Sequence, residues 1–253
     1  MGKMGGTKHL KRKPAPDFWP IHRKGFRWIV KPGPGPHPVK DSLPLLVIIR
    51  DILGIAKTRN EAREILRREN VKVDGVIRRR DDYPVGLMDV IEIPAIKKTY
   101  RVLPELRRGL RLHIIGPEEK DYKLCKIVNK TTVAKGNIQL NLHDGRNHVV
   151  KILDPTKPAE DVYKTDDLLK VKLPSQEILA HLKFEPGILA LVCSGRHVGR
   201  WGEVISIGQP SLYGATAILK GSGGEEFEAP LDYLFPIGKG EPWISLPTDV
   251  EEA

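Results

Sequence analysis

Between residues 8 and 31 the chain interleaves eight cations, Lys8, Lys11, Arg12, Lys13, Arg23, Lys24, Arg27 and Lys31, with four aromatic side chains, Phe18, Trp19, Phe26 and Trp28. The chemistry open to such a segment is recognition rather than bond-making. Lysine and arginine neutralise phosphates, and aromatic rings stack on unpaired bases. The tryptophans have a second use, anchoring the segment to the body of the protein, and the spacing leaves both uses open. Further on, Arg59, Arg63 and Arg67 recur at i, i+4 and i+8, which places them as a stripe along one side of a helix. Lys72 and the run Arg78-Arg79-Arg80 follow, either as phosphate contacts or as a solvated strand end balanced by Asp81 and Asp82. Near the C-terminus Arg196, His197 and Arg200 share a glycine-bounded loop with Trp201.

Arrangements that make or break bonds are missing. There is no phosphate-cradling glycine loop ending in Gly-Lys-Ser/Thr, no G-x-G-x-x-G after a strand, no G-x-S-x-G and no H-E-x-x-H. The eight histidines, at 9, 22, 37, 113, 143, 148, 181 and 197, are scattered. Cys125 and Cys193 stand far apart with no metal-ligand spacing, so neither a disulfide framework nor a zinc ribbon is expected. A catalytic residue, a metal and a cofactor are therefore not expected. The longest apolar stretch, Leu43 to Ala56, is interrupted by Arg50 and Asp51 and falls short of the roughly 20 residues that span a bilayer. The N-terminus lacks the apolar core of a signal peptide. Neither a membrane partner nor a small-molecule substrate is implied, and a reducing cytoplasm fits.

The elements that would position these cations follow from charge and pattern. The net charge of +10 is unevenly spread: +9 over residues 1–40, +2 over 41–105, +5 over 106–175 and −6 over 176–253. Positive charge concentrated in one arm and a middle segment fits contact with a polyphosphate. Residues 1–42 read as an extended basic arm, because Lys31-Pro-Gly-Pro-Gly-Pro-His-Pro38 holds neither a helix nor a strand ladder. Such an arm is expected to be disordered until RNA orders it. Residues 43–105 read as a compact α/β module: an apolar helix over Leu43–Leu53, and a second helix opened by the capping box of Thr58 and Glu61, with Ala62, Ile65 and Leu66 buried. Strands then follow around an Asp74-Gly75 turn and over Asp89–Ile93. Residues 106–175 read as a β-rich central domain, with strands over Leu124–Val128, Asn137–Leu142 and Val149–Leu153. Residues 176–253 add short strands separated by glycines, including a hairpin of Tyr213–Leu219 with Glu225–Ala229, and a C-terminal tail.

These pieces resemble known families. The run Lys57 to Ile93, with its Thr-Arg-Asn-Glu-Ala helix start, its Asn-Val-Lys-Val-Asp-Gly turn and its Gly86-Leu-Met-Asp89-Val-Ile strand, resembles the S4-type RNA-binding domain. That likeness implies an RNA-facing surface of Arg59, Arg63, Arg67, Lys72 and Arg78 to Arg80. Glu185 to Ile207, through its spacing of Gly187, Gly195, Gly199 and Gly202, resembles the KOW motif of SH3-like barrels, in which the 195–201 loop would meet RNA or protein. S4-type domains also guide pseudouridine synthases, and Asp144–Lys151 is faintly similar to a late segment of those enzymes. Their arginine-leucine-aspartate catalytic core, however, occurs nowhere in this chain.

In motif content and order the whole chain resembles the S-four-e family of small-subunit ribosomal proteins, of the archaeal rather than the eukaryotic kind in length and C-terminal end. The fold class implied is α+β and multidomain: basic arm, S4-type domain, β-rich centre and C-terminal KOW β-barrel. The function implied is non-catalytic: binding small-subunit ribosomal RNA beside neighbouring ribosomal proteins. The alternative is a KOW-containing transcription-elongation factor, or an RNA-chaperone or assembly factor.

Overall fold

The computed structural model describes residues 7–68, 71–106, 109–152, 161–209, 214–221 and 223–247. Expectations for residues 1–6, Glu69, Asn70, Leu153, Tyr213 and the end beyond 247 lie outside the described residues. In chain order the elements are β1 (Leu10–Lys11), β2 (Trp28–Ile29), β3 (Ser42–Pro44), α1 (Leu45–Val47), which widens into a π-helix over Ile48–Ile52, α2 (Arg59–Arg68), β4 (Lys72–Val73), β5 (Val76–Ile77), β6 (Pro84–Gly86), β7 (Val90–Ile93), β8 (Lys98–Glu105) and β9 (Gly109–Ile115). Then come β10 (Tyr122–Thr132), β11 (Ile138–Leu142), β12 (Asn147–Val150), β13 (Leu168–Lys172), β14 (Ile178–Leu182), β15 (Ile188–Val192), β16 (Trp201–Ile207), β17 (Thr216–Gly221), β18 (Glu226–Pro230), β19 (Leu234–Lys239) and β20 (Glu241–Pro242).

The arm is folded where it was expected to be loose. β1 and β2 form an antiparallel ladder, with Leu10 opposite Ile29 and Lys11 opposite Trp28. Between them Trp19 is only 3% exposed, and its indole N–H donates to the Ser42 carbonyl at 3.0 Å. The Arg23 guanidinium donates to the carbonyls of Arg12, Ala15 and Pro16, each at 2.8 Å. An arm disordered until it meets RNA is therefore corrected for residues 7–42. Its aromatic and aliphatic side chains supply a face worth burying, and Arg23 satisfies backbone acceptors that no ladder reaches. Beyond β2 the proline-rich stretch stays extended and lies along the next unit: the Gly33 N–H donates to the Asp82 carbonyl at 2.8 Å.

The first helix begins later than expected. Leu43 and Pro44 belong to β3, which pairs with β6, because a residue preceding proline is pushed out of the helical region. Helix α2 starts as expected, and the turn after β4 has both central residues at positive φ, Asp74 at 52° and Gly75 at 75°, the mirror-image geometry that suits a two-residue hairpin.

Three antiparallel sheets follow one another. The first has strand order β5-β4-β7-β8-β9, the second β12-β11-β10-β13-β14, and the third β18-β17-β16-β15-β19-β20. The β8–β9 hairpin carries the first sheet across residue 105, and the β13–β14 hairpin carries the second across residue 175. Divisions drawn at those positions from composition fall inside hairpins, since charge does not report which strands share hydrogen bonds. The arm, both helices and the first sheet share one apolar core. A second core takes Met88 and Leu103 from the first unit, Leu124 and Leu168 from the second, and Leu191, Phe235 and Ile237 from the third, so the three sheets are packed together. No helix among the described residues is long and apolar enough to cross a membrane.

Candidate nucleic-acid interface

Helix α2 is held by its own first turn. The Thr58 hydroxyl accepts the Glu61 N–H at 3.2 Å, and the Glu61 carboxylate accepts the N–H of Lys57 at 2.8 Å and that of Thr58 at 3.4 Å. The bond from Lys57 holds the Glu61 carboxyl below the usual carboxylate range. The box thus engages the N–H groups of Lys57, Thr58 and Glu61 at this end of α2. Ala62 and Leu66 face the core, fully buried, while Ile65 is half-buried.

On the outer side, Arg59 Nε and Arg63 Nε converge on one oxygen of Asp81, at 2.7 and 3.1 Å. Burial pushes the Asp81 carboxyl up, but the two guanidinium groups outweigh it and leave it below its ordinary value. One carboxylate thus aims two arginines and cancels one of their two charges, while both side chains remain nearly half exposed at 49% and 44%. Arg67 is exposed and has no ion-pair partner among the described residues; Arg68 pairs with Glu64 at 2.6 Å. A surface hollow of about 430 Å³ lies among Asn60, Arg63, Glu64, Arg67 and Arg68.

The remaining expected residues divide by what they touch. Lys72 is half-buried opposite Glu92 at 3.4 Å. Arg78 lies over the Tyr83 ring at 4.5 Å, Arg79 is exposed, and Arg80 forms a two-point pair with Asp82 at 2.9 and 2.7 Å. Of the two aspartates expected to balance this run only Asp82 does so, since Asp81 reaches across to α2. In the arm Lys8, Lys11, Lys13, Lys24 and Arg27 are exposed, and Lys31 is half-buried. Arg12 is turned inward to the His22 carbonyl at 2.8 Å.

Trp19 and Arg23 leave the interface: the first is buried under the arm and the second is spent on backbone carbonyls, so neither can meet a base or phosphate as placed. Trp28 stays, 49% exposed, with the His9 ring 5.4 Å away and the Arg27 guanidinium 5.0 Å over its face. In the 195–201 loop Arg196 and Arg200 are exposed, with Arg200 near Glu225 at 3.4 Å. His197 instead lies against Phe227 at 5.2 Å, and Trp201 packs into the second core, so the loop does not present all four side chains together.

Reading the sequence missed a second polar centre. Lys123, fully buried on β10, meets carboxylates of Asp74 at 3.0 Å, Asp144 at 3.0 Å and Asp89. Arg146 adds bonds to Asp74 at 2.6 Å and Asp144 at 3.3 Å, and His37 from the arm reaches Asp89 at 3.1 Å. Burial pushes Asp144 up, but Lys123 more than reverses this and brings it down to about 2. Burial opposes the Lys123 charge, and the three acids outweigh it, keeping the ammonium form. Asp74 is raised, chiefly by burial. Cys125, His143 and Asp144 gather within ligand distance of one another nearby. Asp144, however, is already engaged by Lys123 and Arg146, and burial raises the Cys125 thiol far above its usual value, so the donor set is that of an ion-pair junction rather than a metal centre.

Relatives align with this chain along nearly the whole of both sequences. The chain is 49% identical over 98% of both chains to small ribosomal subunit protein eS4 of Desulfurococcus amylolyticus, 50% over 98% of both to that of Staphylothermus marinus, and 47% over 97% of this chain and all of the relative to that of Methanocaldococcus jannaschii. The chain belongs to the ribosomal S4e family. The model for ribosomal family S4e matches residues 96–178, that for the RS4NT (NUC023) domain residues 4–40, and that for the S4 domain residues 43–91. The S4 match encloses α2, Asp74, Asp81 and Asp89, so the arginine face lies within the S4 domain. The crystal structure of the S4e protein from Thermoplasma acidophilum, 32% identical, superposes with a TM-score of 0.65 over 79% of this chain and 96% of that one.

Proposed function

We propose that this S4e chain is a structural, non-catalytic constituent of the archaeal small ribosomal subunit, acting in cytoplasmic ribosomes by binding small-subunit ribosomal RNA beside other ribosomal proteins. The observation that carries the reading is the match along nearly the whole of both chains to proteins named as components of that subunit. The alternative, an elongation or RNA-chaperone factor, finds no support among those relatives.

The geometry suits such a role. Arg59, Arg63 and Arg67 on α2, Arg79 beyond β5, and Lys8, Lys11, Lys13, Lys24 and Arg27 on the arm are the cations that phosphates would meet. Arg80, Lys72 and Arg78 are half-buried or already paired and would act as supports, while Lys31, half-buried with its ammonium donating to the Thr7 carbonyl, keeps donors for a phosphate at the arm. Such contacts fix position and leave sequence largely unread. The third sheet, with Gly199 close against the Pro104 carbonyl of β8, supports reading residues 188–242 as a KOW-type SH3-like barrel braced on the S4 unit. Within it Arg196 and Arg200 are the cations left for a partner, and the −6 charge of residues 176–253, which contain it, favours protein over RNA there.

The test is to fractionate native extract on a sucrose gradient after washing small subunits in high salt. Retention at near one copy per small subunit is expected; release into light fractions, or migration with RNA polymerase, would overturn the reading.

A further inference from the structure

The arm and helix α2 enclose a groove of about 530 Å³ whose wall includes Lys8, His9, Trp28, Lys31, Arg59 and Asp82. Its size is that of a site for a small molecule, within the usual range of roughly 300 to 1,000 Å³. Three of these residues are cations and one is an acid, and the acid is already met by Arg80 through two bonds. The floor is apolar: Ile29 and Val30 are buried there. At the wall stands Trp28, whose indole could have been folded inward as those of Trp19, Trp201 and Trp243 are, and is instead half exposed.

We propose that this groove seats one unpaired nucleotide of RNA, its base against the Trp28 indole and its phosphates held by Lys8, Lys31 and Arg59. This rests on the RNA-binding reading above and adds the class of RNA that the arm selects. A paired helix hides both faces of its bases and offers a protein backbone, 2′-hydroxyls and base edges, none of which calls for an exposed indole. A base turned out of a stem has a free face, and an exposed indole between cations is matched to it. The Arg27 guanidinium lies over one face of the indole and adds charge there, so the base takes the other face, with the His9 ring tilted at 50° to the indole nearby.

The experiment uses the full-length protein and two RNA hairpins of equal length, one fully paired and one with a single unpaired adenosine in its stem, titrated at one salt concentration. The unpaired position carries 2-aminopurine in a parallel series, so that stacking is read directly as quenching. The expected result is roughly tenfold tighter binding of the bulged hairpin, quenching on binding, and loss of both the preference and the quenching in Trp28→Ala. Trp28→Phe, which keeps an aromatic face and the β1–β2 pairing, retains most of each. Equal affinity of the native protein for the two hairpins, or an equal loss on both in Trp28→Ala with quenching unchanged, overturns the proposal and leaves RNA binding standing. Failure to bind either hairpin removes the RNA-binding reading itself.

Discussion

Lys123, fully buried, meets three carboxylates and closes the interior ion cluster. Breaking a buried ion cluster by removing one partner leaves the others uncompensated and typically costs about 3 to 5 kcal/mol. Lys123→Met is therefore expected to lower unfolding stability by that order in urea titration. Arg200→Ala, which removes an exposed pair, should stay within about 0.5 kcal/mol. Equal effects would mean that the cluster is not closed to water. His143, packed edge-on to Phe235 and facing Lys123, Asp144 and His37, gives this region a pH dependence. Burial, aided by Lys123, brings its folded value down to about 4 against 6.5 in the open chain. Between those values the unfolded chain binds more protons, so this contribution is complete above pH 6.5 and is lost as pH falls toward 4, by at most about 3 kcal/mol. Urea midpoints of the native protein and His143→Asn should converge across that window; parallel curves would show that His143 is solvated. None of this was legible in the sequence. Lys123 meets Asp74 and Asp89 across 49 and 34 residues, and a lysine bound for the interior carries no local mark distinguishing it from one on the surface.

Elements with local signals were the readable part. The capping box of Thr58 and Glu61, the Asp74-Gly75 hairpin turn and most central strands depend on neighbours in the chain, and the structure has them where the pattern put them. Thr58→Ala should weaken α2 by about 1 kcal/mol, seen as a lower thermal midpoint, and should reduce RNA affinity only as far as Arg59 and Arg63 lose their positions. What the pattern left open was the fate of the arm, because its anchors lie elsewhere: Trp19 bonds to Ser42, and His37 reaches Asp89. Gly86 shows how closely the arm is seated, since an added Cβ there would come within 2.3 Å of the His37 ring. Gly86→Ala is expected to displace His37 and let trypsin cut among residues 8–31 of the free protein several times faster than in the native form. Unchanged cleavage would mean that the arm docks without this contact.

At the scale of the whole molecule the charge distribution sets the affinity law. Each phosphate contact contributes about 0.7 to 0.9 to the slope of log affinity against log salt, and some eight contacts would cost several orders of magnitude over a few-fold rise in salt. Arg67→Ala, which disturbs no ion pair among the described residues, should lower that slope by about one without shifting the thermal midpoint. A slope near zero in the native protein would refute electrostatic positioning. Segment charges made the polyanion partner legible, while the joining of the three sheets was not, because it rests on one shared core and on the Lys123 junction. That junction also sets a timetable. Asp74 and Asp89 leave the synthesising ribosome 49 and 34 residues ahead of the lysine that closes them in, a delay of a few seconds at about 5 to 20 residues per second. During that interval Asp74 lacks both of its cations, Lys123 and Arg146, and Asp89 has His37 alone, on a face that will become interior.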